Sequence, residues 1–354
     1  MAAIVVYNVQ RLFRPGGSAI ARALDATEEH GWDAAAYKRK VTAVGTMLAS
    51  ATGGEPPAVL VLVEVEDASV VKDLCAAAGW PGMVDADVPG EKMDGYDVAI
   101  AYDPSIFAGH SDGVSFTFEN RFATRDLLVA HLQLPGGRPL TVLATHWASR
   151  TMAEAEVLRI SAAIFCSNVL ERLLKYGKDE LISASGAVTM PARNELTAKW
   201  STPILMAGDF NDCPWDRSVR ALLDSTPDRD SVQRDPRLPI GRTLGSATAY
   251  LRLRPRLFNP VWGLIGSRAR PLGTHWFGGE WSPLDQILVS RGMIGGAGPT
   301  LVEGSVRVHA PMTLRAPDGT TIRARRTSGV PMPFDPVTGE GVSDHLPLVA
   351  QIAL

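Results

Sequence analysis

The chain has 354 residues, 45% of them hydrophobic and 21% charged, which excludes disordered, fibrous and membrane-embedded classes and allows a large buried core. A formal net charge of −3 excludes a globally basic nucleic-acid binder but leaves room for a local basic groove. Cys75, Cys166 and Cys213 are widely separated, supplying neither a disulfide framework nor a thiolate metal site, and this usage favours a reducing compartment.

Met1-Ala2-Ala3 runs straight into Ile4-Val5-Val6-Tyr7, and Asn8 follows. With no basic segment, no long apolar leader and no stretch able to span a bilayer, the expected location is the cytoplasm, without membrane association or an obligate protein partner. A helix is predicted over 33–48, where Tyr37, Val41, Val44 and Leu48 form one stripe. The run Val59-Leu60-Val61-Leu62-Val63 leads into Glu64, and Asp97-Val98-Ala99-Ile100-Ala101-Tyr102 ends at the turn-forming Asp103-Pro104. Leu127-Leu128-Val129-Ala130 precedes the turn Pro135-Gly136-Gly137, after which Leu140-Thr141-Val142-Leu143-Ala144-Thr145 leads into His146. A second helix is predicted over 154–174, with Val157, Ile160, Ile164 and Leu173 near one face.

The Ser/Ala/Thr-rich segment 181–202 is weakly patterned and reads as a loop insertion. Ile204-Leu205-Met206-Ala207-Gly208 then leads into Asp209-Phe210-Asn211. The span 227–283, rich in Arg, Pro and Gly, reads as a long irregular excursion. Asp285 precedes Ile287-Leu288-Val289, and Ser343-Asp344-His345 precedes Leu346-Pro347-Leu348-Val349. Short, nearly continuous apolar runs are the pattern of strands covered on both faces, so packed or covered sheets are expected.

The informative regularity is that these runs end in polar side chains of metal-ligand or proton-transfer type. Alone, each reads equally well as a turn residue, a helix cap or a satisfied half-buried histidine. Asp209-x-Asn211 says more, because alternate residues on an extended chain project to the same side.

Together, Asn8, Glu64, His146, Asp209-Phe210-Asn211, Asp285 and Asp344-His345 occur in the order and contexts of the endonuclease/exonuclease/phosphatase superfamily, which the chain resembles from Asn8 to His345. The resemblance implies an α/β fold, a four-layer α/β/β/α sandwich of two packed mixed sheets flanked by helices. It implies a single domain over 1–354, with irregular insertions at about 181–202 and 227–283. Departures exist: Val63 stands where the family usually has Gln, and no clear counterpart of its phosphate-contacting tyrosine is visible, Tyr96 being the nearest candidate. Arg125 resembles the family's phosphate-contacting arginine.

Phosphate-ester hydrolysis requires charge neutralisation, an in-line activated water and stabilisation of the leaving oxygen. Mg²⁺ suits this task as a hard cation that takes one or two carboxylates and keeps several waters, and Mn²⁺ is a plausible substitute. Glu64 is the leading ligand candidate with Asn8 beside it, and Asp344 and the Asp209/Asn211 pair are further contributors, through water or to a second ion. The resemblance further implies that Asp209 orients or deprotonates the attacking water. It gives Asn211 the phosphoryl oxygen or that water, and has Asp285 fix the tautomer of His345. His146 would donate to the developing charge or protonate the leaving group, so that Arg125, Asn211 and His146 together form the phosphate-binding set.

The expected activity is a Mg²⁺-dependent phosphoesterase acting on a phosphodiester, with nucleic acid as the first substrate (endo- and exonuclease action both open). A phosphatase or phosphodiesterase acting on a small or lipid-derived ester is the alternative. For a nuclease groove the sequence offers Arg252, Arg254, Arg256, Arg268 and Arg270, interleaved with Phe258, Trp262, Trp276, Phe277 and Trp281. His275 and His309 lie in the late regions and read as structural. A non-catalytic module on the same fold is the third reading, and retention of every candidate ligand and proton-transfer residue weighs against it.

Overall fold

The computed structural model describes residues 1–16, 31–86, 97–118, 124–234, 237–239, 241–265, 271–295 and 298–354. The strands in chain order are β1 (Ala2–Leu12), β2 (Val59–Val65), β3 (Val84–Asp85), β4 (Asp97–Tyr102), β5 (Gly109–Phe118), β6 (Thr124–Gln133), β7 (Pro139–His146) and β8 (Ile204–Asp209). They continue with β9 (Ser225–Thr226), β10 (Leu257–Phe258), β11 (His275–Phe277), β12 (Glu280–Ser282), β13 (Asp285–Val289), β14 (Thr300–Leu301), β15 (Arg307–Val308), β16 (Thr313–Arg315), β17 (Thr321–Arg323) and β18 (Leu348–Ala353).

One sheet runs β14-β18-β1-β2-β4-β3, with β15 also on β18, and the other runs β5-β6-β7-β8-β13-β10-β9. Both sheets are mixed: β1/β2 and β7/β8 are parallel, whereas β1/β18, β2/β4, β6/β7 and β8/β13 are antiparallel. Residues alternate between two buried faces. Ile4, Val6, Val59, Val61 and Val63 meet Val142, Ala144, Leu205, Ala207 and Ile287 between the sheets. Val5, Tyr7, Leu60 and Leu62 turn outward instead, onto helices α1 (Ala34–Thr52) and α2 (Ala68–Ala77). Leu143, Met206 and Leu288 of the second sheet turn outward onto α3 (Ala155–Leu174). This is the expected four-layer sandwich.

Helix α1 begins at Asp33, whose carboxylate accepts the Ala36 N–H at 2.7 Å, and it buries Tyr37, Val41, Val44 and Leu48 as the stripe predicts. Helix α3 does not follow its predicted stripe: Val157 is 60% and Ile164 46% exposed, while Ala162, Ala163, Cys166 and Val169 face the sheet. Small residues in the middle of the helix allow close approach to the strands, and Val157 and Ile164 are turned away. The spans expected to be irregular contain helices Arg193–Trp200 and Leu244–Leu251, which share a small apolar cluster of Leu196, Trp200 and Tyr250. Within the second span β11 and β12 also form a hairpin. No helix among the described residues is long and apolar enough to cross a membrane.

Candidate functional site

Alternation explains why so many polar residues converge. On β1, β7, β8 and β13 the inward positions include Asn8, His146, Asp209 and Asp285, so each of these strands delivers a polar side chain between the two sheets. Register aligns them: His146 pairs with Asp209 across the parallel β7/β8 junction, and Asp285 pairs with Asp209 across β8/β13. Gly208 makes the close packing possible, since a Cβ built there would lie 1.9 Å from the Thr145 carbonyl oxygen.

Glu64 breaks the alternation. By parity it would point outward, but its backbone is left-handed (φ 66°), and the β1/β2 and β2/β4 registers shift at this point. The displaced carboxylate accepts the Asn8 amide at 3.3 Å and the Arg11 N–H at 2.9 Å. Gln10, Arg11 and Asn211 also have positive φ, so four of the six described non-glycine residues in that region surround the site. Such strain costs about 1–3 kcal/mol per residue and clusters where function fixes geometry.

The Asn8 amide nitrogen bridges Glu64 and Asp209, donating to Asp209 Oδ2 at 3.0 Å, while its oxygen accepts the Gln10 N–H at 3.0 Å. Asn8 therefore turns its nitrogen, not its oxygen, towards the carboxylates. His146 Nε2 lies 3.8 Å from both Glu64 Oε1 and Asp209 Oδ2. His345 Nδ1 is 2.7 Å from Asp285 Oδ2, and its Nε2 is 3.8 Å from Asp209 Oδ2. Asn211 donates its backbone N–H to Asp209 Oδ1 at 2.8 Å and its amide to the Trp147 carbonyl at 2.9 Å. Arg150 donates its Nε–H to the Asn211 carbonyl at 2.8 Å and an Nη2–H to Asp216 at 2.6 Å. The neighbouring Asp212 pairs with Arg159 at 2.7 Å.

Burial opposes a charge on His345, yet Asp285, then Asp209 and Asp344, overrule it and push its pKa up to about 10. Burial and the charge of Asp285 raise the Asp209 pKa above the carboxylate range, with His345, the Asn211 N–H and Asn8 pulling it back. His275 is pushed down to about 4 by burial and by the neighbouring His345.

The structure brings together Asn8, Glu64, His146, Asp209, Asn211, Asp285, Asp344 and His345. Arg125 belongs to β6, but its side chain lies outside the described residues, as does Tyr96. Val63 is fully buried between the sheets and offers nothing to Glu64. Two residues escaped sequence reasoning. His275, read as structural, packs its ring 4.6 Å from that of His345, and one ligand atom each of His275, Asp344 and His345 lies within 4.8 Å of the others. Lys40, a buried lysine of α1, lies near enough to feel the charges of Asp344 and Glu64, and its position on the apolar stripe of Tyr37, Val41 and Val44 was the available signal.

His309 is remote from this cluster and contacts Ser50 at 2.9 Å. The late arginines are largely engaged locally: Arg254 donates to the Leu222 carbonyl at 2.7 Å, Arg256 pairs with Asp224 at 3.3 Å, and Arg325 donates to the Ala310 carbonyl at 2.8 Å. Arg268 and Arg270 lie outside the described residues.

The donor set fits a hard divalent cation. Among the described residues the groups whose ligand atoms gather are His275, Asp344 and His345, and Asp209, Asp285 and His345, with Glu64 joined to Asp209 through the Asn8 amide; neither group includes a cysteine, and such oxygen-rich donors suit Mg²⁺ or Mn²⁺.

A family model described as "Endonuclease/Exonuclease/phosphatase family" matches residues 3–237. Comparison with curated protein sequences finds no match. Among solved structures, TDP2 from C. elegans is 15% identical, with a TM-score of 0.51 over 100% of this chain and 75% of that one. D. rerio TDP2 complexed with a single-strand DNA product is 14% identical, with a TM-score of 0.51 over 100% and 99% of the two chains. The mannosyl-6-phosphatase of Bacteroides thetaiotaomicron is 13% identical, with a TM-score of 0.53 over 100% of both. At these identities the likeness establishes the shared fold.

Proposed function

Since the chain belongs to the endonuclease/exonuclease/phosphatase family of phosphoric ester hydrolases, we propose that it is one domain, 1–354, which hydrolyses a phosphodiester with a divalent cation, most favourably Mg²⁺. The observation that carries this reading is the convergence on Asp209 of three side chains distant in sequence, Asn8, His146 and His345, with the backbone N–H of the adjoining Asn211 fixing its other oxygen.

When bound, the cation neutralises phosphate charge and lowers the barrier to attack. Glu64 and Asp344 hold it, and Asn8 aligns Glu64 with Asp209 from between them. Asp209 takes the proton of the attacking water, a role helped by a pKa lifted above the usual carboxylate range. Protonated His345, fixed by Asp285, donates Nε2–H to a phosphoryl oxygen. His146 serves the leaving oxygen, and Asn211 orients the water or the phosphate.

A nucleic-acid substrate is favoured by the β11–β12 hairpin. His275 leans on His345, Phe277 stacks on His275 at 6.3 Å and is itself 62% exposed, and exposed aromatic faces accept bases. A compact phosphate ester is the second reading, favoured by the engagement of the late arginines in local pairs rather than in a polyanion groove. The family's range supports both, since the fold neighbours include a TDP2 with a single-strand DNA product and a mannosyl-6-phosphatase. Three free cysteines support a reducing, cytoplasmic setting.

The test is a Mg²⁺-dependent hydrolysis panel of single-stranded DNA, plasmid, RNA, an abasic duplex, bis-p-nitrophenyl phosphate and p-nitrophenyl phosphate, with Asp209→Asn as blank. Hydrolysis of single-stranded DNA that weakens steeply with salt would support the first choice. Turnover of monoesters alone would overturn it.

A further inference from the structure

Lys40 keeps only 3% of its surface in solvent, and a buried ammonium must be satisfied by its surroundings. It donates to the Gln10 carbonyl oxygen and is flanked by the rings of Trp32 and Phe334, each centroid 5.6 Å away. That carbonyl belongs to the left-handed turn of β1, where φ is 56° at Gln10 and 52° at Arg11. A turn of this kind persists only where its neighbours over-determine it. Three contacts do so here: Gln10 N–H to Asn8 Oδ1 at 3.0 Å, Phe334 N–H to Gln10 Oε1 at 3.1 Å, and Lys40 on the carbonyl. What the turn presents is the Arg11 N–H, which donates to Glu64 Oε2 at 2.9 Å.

We propose that Lys40 is a positioning residue for metal binding, holding the Gln10–Arg11 turn so that the Arg11 N–H keeps the Glu64 carboxylate oriented towards a divalent cation. The proposal rests on the reading of Glu64 as a ligand. It differs in sign from a purely electrostatic role. A cation near the ligands repels a second one, so if charge were its whole contribution, removing Lys40 would tighten metal binding. Loss of positioning weakens it.

Mg²⁺ is titrated calorimetrically into metal-free wild type, Lys40→Met, Lys40→Gln and Glu64→Gln. Removing a group that orients a ligand costs about 10–100-fold in metal affinity. Lys40→Met is therefore expected to raise the Mg²⁺ Kd at least about tenfold with native circular dichroism, its kcat recovering at saturating Mg²⁺. An unchanged or lower Kd overturns the proposal. Should Lys40→Met fail to fold, Lys40→Gln, uncharged and one bond shorter, is read by the same criterion. Glu64→Gln separates the two possible failures. Undiminished Mg²⁺ binding there sinks the ligand assignment itself, whereas lost binding there with a wild-type Kd in the Lys40 variants sinks only the positioning role.

Discussion

Asp285→Asn removes the charge partner of His345 with almost no change of shape. Asp285 is fully buried, and its Oδ2 lies 2.7 Å from His345 Nδ1. A histidine raised from 6.5 to about 10 adds roughly 5 kcal/mol to folding at low pH, since each tenfold gain in proton affinity is worth about 1.4 kcal/mol. The unfolded chain releases this proton near 6.5 and the folded chain near 10. The contribution is therefore complete below 6.5, shrinks by about 1.4 kcal/mol per pH unit above it, and is gone as pH rises through about 10. In the variant only Asp209 and Asp344 still oppose burial, so the His345 pKa falls and most of this contribution is lost. Urea denaturation of both proteins from about pH 6 to about pH 9 should show a deficit of about 3–5 kcal/mol at the acid end, narrowing as pH rises. A deficit that stays constant over this range would refute the ionic pairing of Asp285 with His345.

Asp209→Asn should leave urea stability near wild type while lowering kcat by at least about 10²-fold in a Mg²⁺-replete assay; near-native turnover would remove Asp209 from the mechanism. Because burial and Asp285 raise the Asp209 pKa, the acid limb of kcat should lie above the ordinary carboxylate range. A wild-type pH–rate profile that stays flat down to about pH 4 contradicts this assignment. EDTA should inactivate the enzyme reversibly, with added Mg²⁺ or Mn²⁺ restoring activity; full activity in chelator would exclude the cation chemistry. Gly208→Ala forces a Cβ against the Thr145 carbonyl, and thermal melting should reveal a loss of about 3 kcal/mol or more, or no folded protein.

The sandwich and most of the site were legible because one physical regularity governs both. An apolar run covered on both faces reads as a strand, and the first polar residue after it marks a buried polar position that needs a partner, as at Asn8, His146 and Asp209. Orientation was less legible. Glu64 was identified by its place after Val59–Val63, but its inward turn depends on a positive φ and two register shifts that no spacing records. The α3 stripe misled because apolar periodicity assumes that the largest side chains are buried, whereas there the sheet takes alanines and Cys166. His275 reaches His345 through the β11–β12 hairpin, a tertiary arrangement within a span that lacked a clear period.

The pairing of His146, Asp209 and Asp285 across three adjacent strands means that these candidate reacting groups share the stiffness of the molecule's interior. Slipping any one strand by a residue would throw its functional side chain to the opposite surface, so the chemical machinery tolerates little drift. The β11–β12 hairpin is anchored at its base, where Thr274 accepts the Asp285 and Leu346 N–H groups and His275 bridges to His345, while Phe277 at its tip is exposed. Changes of preferred substrate in this lineage would accordingly accumulate there, on the connecting segments, while the strand ends beneath stay fixed.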